Sequence, residues 1–155
     1  MFRKMRLADQ ELSKDDTVAI LKEKTNGTLA INGQGKYPYS VPVSYVYDDG
    51  KIYFHGAVEG EKFDLLAENP YVSFSVIDYD DVQAAKFTTY YRSVIIYGDV
   101  KRLEDPASIQ KAMDATVDKY SPGLTEGGRK FLKASENTIC VYELDIVHMT
   151  GKKSA

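Results

Sequence analysis

Tryptophan is absent from this chain of 155 residues, cysteine occurs once, histidine twice, and 20 lysines and arginines stand against 23 aspartates and glutamates. Each scarcity excludes something. A single cysteine, Cys140, cannot form an internal disulfide, and its place in an apolar strand pattern marks it as a small core residue in a reducing compartment. His55 and His148 lie far apart in sequence with no cysteine or carboxylate spacing beside them, which gives no metal site. A net charge of -3 and a pI near 5.4 offer no basic field to follow a phosphate backbone, so nucleic acid is not an expected partner. No apolar run approaches the roughly 20 residues that cross a bilayer. The start, "MFRKMRLADQ", has basic residues with no apolar stretch after them, so a cytoplasmic protein off the membrane is expected. Repeats, low-complexity tracts and Pro/Ser-rich linkers are also missing, and one domain over residues 1–155 is expected. No serine sits in a G-x-S-x-G elbow and Cys140 has no activating neighbour in the sequence, so covalent hydrolysis has no support.

What is abundant is tyrosine, with 12 residues. Its ring suits half-buried strands and interfaces where one end stays wet, which points to a β-rich protein with an interface. "SKDDTVAILKEKTNG" predicts a helix capped by Ser13 or Asp15, with Val18, Ile20 and Leu21 as its apolar stripe and Gly27 as its stop. "TLAING" predicts a short strand and a turn. "YSVPVSYVYDDGKIYFH" predicts two strands joined at Asp49-Gly50, a dipeptide that favours a tight hairpin. "EKFDLLAENP" predicts a short helix ending before Pro70. "YVSFSVI" alternates, with Val72, Phe74 and Val76 on one face and Ser73 and Ser75 on the other. After a polar stretch, "DYDDVQAAKF", a long strand "TTYYRSVIIYGDVKRL" is expected to bend at Gly98. "DPASIQKAMDATVDKY" predicts a helix capped by Asp105 with Pro106 at its first position. A further helical piece near "GGRKFLKAS" precedes a last strand, "TICVYELDIVHM", in which Cys140, Tyr142, Leu144, Ile146 and His148 share one face. Six strands with helices at the connections predict a mainly β protein, a closed or nearly closed antiparallel barrel with flanking helices.

Three places can carry chemistry. Pro42, inside a strand, removes a ladder hydrogen bond and marks an edge. Its face, Ser40, Pro42 and Ser44, is either a solvated edge or a flat shelf for a planar ligand. In "YFHGAVEGEK", Gly56 and Gly60 let backbone N–H groups approach an anion, a helix start follows, and Lys62 adds a charge. The spacing is not that of a Walker loop, and an ordinary turn with a surface lysine is the alternative. Arg92 and Ser93 lie in the long strand, where the arginine needs a partner, either a carboxylate such as Glu61 or an anionic ligand.

In combination, "VPVSYVYDDGKIYFHGAVEGEKFDLLAENPYVSFSV" and "TTYYRSVIIYGDVKRLED" resemble the pyridoxamine 5'-phosphate oxidase-like flavoproteins, in particular their nitroimidazole-resistance branch. The resemblance covers roughly residues 3–120, with a looser match in the final strand. It implies a split β-barrel that forms a homodimer with FMN at the subunit interface. By that resemblance the flavin ring lies along Val41, Pro42, Val43 and Ser44, with Phe54, His55, Gly56 and Ala57 at the end of the neighbouring strand. Lys62, after Gly60, neutralises the phosphate, Arg92 and Ser93 reach the flavin from the long strand, and "HMTGKK" is a candidate for contacts from the second subunit. His55 is the candidate catalytic contact near flavin or substrate. The chain departs from the pattern at "QAAKFTT", where many relatives carry cysteine and aspartate. It departs again at Tyr39 and Glu61, where related oxidases carry arginines, which argues against oxidation of pyridoxamine phosphate itself. The activity implied is an FMN-dependent oxidoreductase passing electrons from NAD(P)H to nitroaromatic or other small acceptors. The alternatives are a flavin or haem module without turnover, and a structural dimer whose site has decayed.

Overall fold

Alternating apolar residues build seven strands that join in one antiparallel sheet. The computed structural model describes residues 1–155. The strands are β1 (Asn26–Ile31), β2 (Tyr39–Ser44), β3 (Val46–Asp48), β4 (Lys51–Ala57), β5 (Tyr71–Gln83), β6 (Thr88–Arg102) and β7 (Ile139–Ser154). The helices are α1 (Lys14–Glu23), α2 (Glu61–Glu68), α3 (Pro106–Tyr120) and α4 (Thr125–Ala134). No helix is long and apolar enough to cross a membrane.

The order β2-β1-β5-β6-β7-β4-β3 puts at opposite edges of the sheet two strands that only Tyr45 separates along the chain. One residue spans at most about 3.6 Å. The sheet must therefore roll until its edges meet at Tyr45, which makes a barrel with a seam. The interior is filled by the inward parity of each strand, including Leu29, Val43, Phe54, Phe74, Ile96 and Leu144, together with Ile20 and Leu21 of α1. A smaller cluster outside the barrel seats α3, through Ala112 and Met113, on Val46, Tyr53, Leu103 and Val141.

The local signals for α1 and α3 hold. Ser13 caps α1 by accepting from the Asp16 N–H at 3.1 Å, and Asp105 caps α3 by accepting from the Ser108 N–H at 3.0 Å. The hairpin turns at Asp49 and Gly50, both with positive φ (44° and 79°). Other expectations are corrected. There are seven strands and not six, because buried Tyr45 interrupts the run from Tyr39 to Asp48 and hands it from one edge to the other. Gly27 does not stop α1, which ends at Glu23; it lies in β1, where any side chain would collide with the Phe74 ring. Thr17, more than Val18, completes the buried stripe of α1, and the missing side chain of Gly151 in β7 makes room for its hydroxyl. The polar stretch after Ile77 is strand, because Tyr79–Gln83 pair with Thr88–Arg92, and β7 likewise runs on to Ser154 against Tyr91. Between Tyr97 and Gly98 the β6/β7 register shifts with Val147 as the extra residue, so His148 pairs with Tyr97 and, against expectation, does not share the face of Cys140, Tyr142, Leu144 and Ile146.

Candidate functional site

Two strand edges are left without a second partner beside the seam. β2 pairs only with β1, which fits Pro42, and Phe54–Ala57 of β4 pair only with β7, because β3 pairs no further than Tyr53. These edges diverge from the corner at Tyr45, whose hydroxyl donates to the Leu21 carbonyl at 2.8 Å. The barrel is split at this point.

The outward face beside β2 is floored by small side chains. One cross-strand row runs Pro42, Thr28, Ser75, Ile95, Thr150, and the next runs Ser40, Ala30, Ser73, Tyr97, His148. Ser40, Pro42 and Ser44 are exposed, and Val41 and Val43 point inward. The sequence pattern had turned Ser73 and Ser75 outward, but no local signal tied them to β2. Only the register through β1 shows that they extend the same shelf. Larger apolar groups on this face are open to solvent, Ile77 at 65%, Ile95 at 45% and Tyr97 at 43%. Phe2 stacks on His148 and Tyr97, with ring centroids 4.5 and 5.2 Å apart.

At the far end of β4, Lys62 in the first turn of α2 turns back over Gly56. A Cβ on Gly56 would stand 3.0 Å from Nζ and 3.2 Å from Cε of Lys62, so the glycine is what lets the amine lie against the strand. Gly60 precedes the helix with φ 108°, a conformation that glycine adopts freely. Lys62 enters none of the chain's ion pairs. His55 and Ala57 project from the same end of β4 and are open to solvent, while Phe54 is buried and stacks on Tyr142 at 5.1 Å. The surrounding protein and, secondarily, the Lys62 ammonium hold the His55 imidazole below its ordinary pKa although its outer surface stays wet. The structure thus brings together an unpaired cation, a small-residue strand end and a neutral imidazole.

The sequence from residue 13 to 153 matches the family profile of pyridoxamine 5'-phosphate oxidase. The chain belongs to that family. The comparison with curated protein sequences gives no match. Among solved structures, a protein of Bacteroides thetaiotaomicron assigned to 5-nitroimidazole antibiotic resistance is 21% identical, with a TM-score of 0.75 over 92% of this chain and 86% of that one. A FAD-binding protein from Mesorhizobium loti is 22% identical, with a TM-score of 0.64 over 94% of this chain and 98% of that one. The FAD and haem binding protein of Mycobacterium smegmatis is 24% identical, with a TM-score of 0.77 over 94% of this chain and 73% of that one. At these identities the likeness is one of fold, a mainly antiparallel sheet with flanking helices.

Within this member of the pyridoxamine 5'-phosphate oxidase family, Arg92 has a carboxylate partner, one of the two outcomes expected for it. Its partner is Asp78, with Nε donating at 2.6 Å, and not Glu61. Asp78 is the extra residue of the bulge between Ile77 and Tyr79, and bulges re-aim side chains. The same carboxylate takes Lys24 at 3.1 Å. Burial pushes the Asp78 carboxyl up, but the two cations outweigh it and hold the group below the usual carboxylate range. Neither Asp78 nor Lys24 stood out in the sequence, because one looked like loop and the other like a solvated helix end. Ser93 faces the shelf in a hollow of about 490 Å³ shared with Ile95, His148 and Lys152. The "HMTGKK" segment therefore contributes His148, Thr150 and Lys152 to the shelf of its own chain.

Proposed function

We propose that the protein is a cytoplasmic, homodimeric FMN-binding oxidoreductase that reduces nitroaromatic or other small acceptors with electrons from NAD(P)H. The observation that carries this reading is the Lys62 amine, in no ion pair, lying against Gly56 at the end of β4, in a chain that also presents a flat small-residue face beside β2. A phosphate monoester suits that amine, and a planar ring suits the shelf. Val41–Ser44 and Phe54–Ala57 supply free strand edges for the heteroatoms of such a ring, and Ser93 a hydroxyl. Arg92, held at Nε by Asp78, fixes the strand beneath Ser93 and keeps its Nη donors for the ligand. FMN, when bound, supplies hydride acceptance and electron delivery. The overall balance is NAD(P)H + H⁺ + R–NO₂ giving NAD(P)⁺ + R–NO + H₂O. His55, kept neutral at pH 7, offers a hydrogen-bond partner at the edge of flavin or acceptor. The exposed apolar face that carries Ile77, Ile95 and Tyr97 is the surface for the second subunit, whose approach covers the shelf and removes water from it.

The test is reconstitution. Purified protein titrated with FMN is expected to show a bound-flavin spectrum and to run as a dimer. Anaerobic mixing with NADH or NADPH and a nitroimidazole is expected to give steady consumption of the donor. A colourless monomer that takes up no FMN refutes the reading. A second reading, a flavin or haem carrier without turnover, is favoured by His55 having no carboxylate to orient it; bleaching by the donor without turnover identifies that case.

A further inference from the structure

The corner at Tyr45 is held by a polar network for which packing alone has no need. The Tyr120 phenol, at the end of α3, accepts from the Tyr45 N–H at 3.0 Å and lies 2.7 Å from the Thr25 carbonyl and 2.6 Å from that of Tyr45. Both of the Tyr45 contacts are made at the backbone of the residue that follows Ser44. The Lys119 ammonium donates to the carbonyls of Lys24 and Tyr45 and sits 4.2 Å from the centre of the Tyr45 ring. Lys119 has no carboxylate partner, and burial lowers its pKa, so holding it there carries a desolvation cost. A methionine would fill the same space without that cost.

The network continues past the corner. Lys24, whose carbonyl takes Lys119, sends its own amine to Asp78, which binds Arg92, the residue next to Ser93. One chain of contacts therefore joins Tyr45 to Arg92, the chain neighbours of Ser44 on β2 and Ser93 on β6, two residues that flank the shelf from different strands. Resting on the flavin reading above, we propose that Lys119 and Tyr120 are positioning residues. They lock the seam at Tyr45 and so the placement of Ser44 before it, and through Lys24 and Asp78 they set the distance between the two walls that receive the flavin ring. Neither side chain touches the flavin. α3, which the sequence marks only as an amphipathic helix, is then part of the binding apparatus.

The experiment compares wild type with Tyr120→Phe, Lys119→Met, Ser44→Ala and Asp78→Asn in three readouts: FMN dissociation constant, visible circular dichroism of bound FMN, and thermal midpoint. Tyr120→Phe removes one oxygen and keeps the ring, so it is the variant expected to stay folded. It is expected to weaken FMN binding about tenfold, the size of one lost hydrogen bond, and to alter the visible circular dichroism. In a Ser44→Ala background the same change is expected to add little, because its effect passes through the placement of Ser44. Lys119→Arg is expected to restore much of what Lys119→Met loses. Variants that bind FMN with wild-type affinity and an unchanged visible spectrum overturn the proposal while leaving the flavin reading intact, and so does a loss matched only by a fall in thermal midpoint. A wild-type chain that binds no FMN overturns both.

Discussion

Replacing Lys62 by methionine removes the ammonium and keeps most of the apolar stem. Because Lys62 enters no ion pair, its loss strands no carboxylate, and the effect should report the missing anion contact alone. A hydrogen bond to a charged group contributes about 1.5–3 kcal/mol. At about 1.4 kcal/mol per decade, FMN should bind roughly 10- to 150-fold more weakly. Lys62 is half-buried, so solvent screening favours the lower part of that range. The decisive comparison is riboflavin, which lacks the phosphate: its affinity should not change. Gly56→Ala supplies a graded version, since the new methyl group sits 3.0 Å from Nζ and 3.2 Å from Cε and the flexible amine must shift by a few tenths of an ångström. A few-fold loss for FMN, none for riboflavin and no change in denaturant midpoint are expected. The assay is titration of flavin fluorescence for both ligands at two salt concentrations. Equal losses for FMN and riboflavin in Lys62→Met would refute the assignment of this amine to the phosphate.

Other outcomes follow from contacts elsewhere. Gly27→Ala forces a methyl into the Phe74 ring and should destabilise the fold by about 1–3 kcal/mol in urea unfolding. Tyr45→Phe leaves the Leu21 carbonyl without its donor inside the core, at a cost of about 1–3 kcal/mol in the same assay. The native pKa of Asp78 is depressed, so its contribution to stability is present above its unfolded value near 3.8 and is lost as pH falls through the lower native value. Asp78→Asn should flatten the acid limb of stability against pH, and an unchanged limb would show that other carboxylates set it. His55 is also depressed, so the folded state disfavours its charged form, and the stability tied to this group falls as pH drops below about 6.5. A phosphate on Lys62 should raise the His55 pKa, and NMR titration of that imidazole with and without FMN checks the sign.

Local chemistry made parts of this fold readable in advance. Asp49-Gly50 favours a tight turn, Ser13 or Asp15 could cap α1 and Asp105 α3, and Pro42 marked an edge or an interruption of pairing. What could not be read depends on partners distant in sequence. "DYDDVQ" is strand because "TTYYR" lies beside it, and no propensity of its own says so. Gly27 looked like a helix stop because nothing nearby in the chain reveals the Phe74 ring that needs its empty space. For the candidate site, Ser40, Pro42, Ser44, Gly56 and Lys62 stood out through residue type and spacing. Thr28, Ala30, Ser73 and Ser75 did not, because their membership of the shelf is a matter of register, and Asp78 was hidden by the bulge that aims it at Arg92.

β7 is the last strand along the chain yet occupies the interior of the sheet, between β6 and β4. Everything made before it falls into two halves, β2-β1-β5-β6 and β4-β3, that share no ladder until this strand arrives. During synthesis the barrel therefore stays open until Ile139–Ser154 leave the ribosome. A nascent chain stalled before Ile139 would show the unsealed edges of β6 and β4 to chaperones, and truncations that remove β7 should not be tolerated.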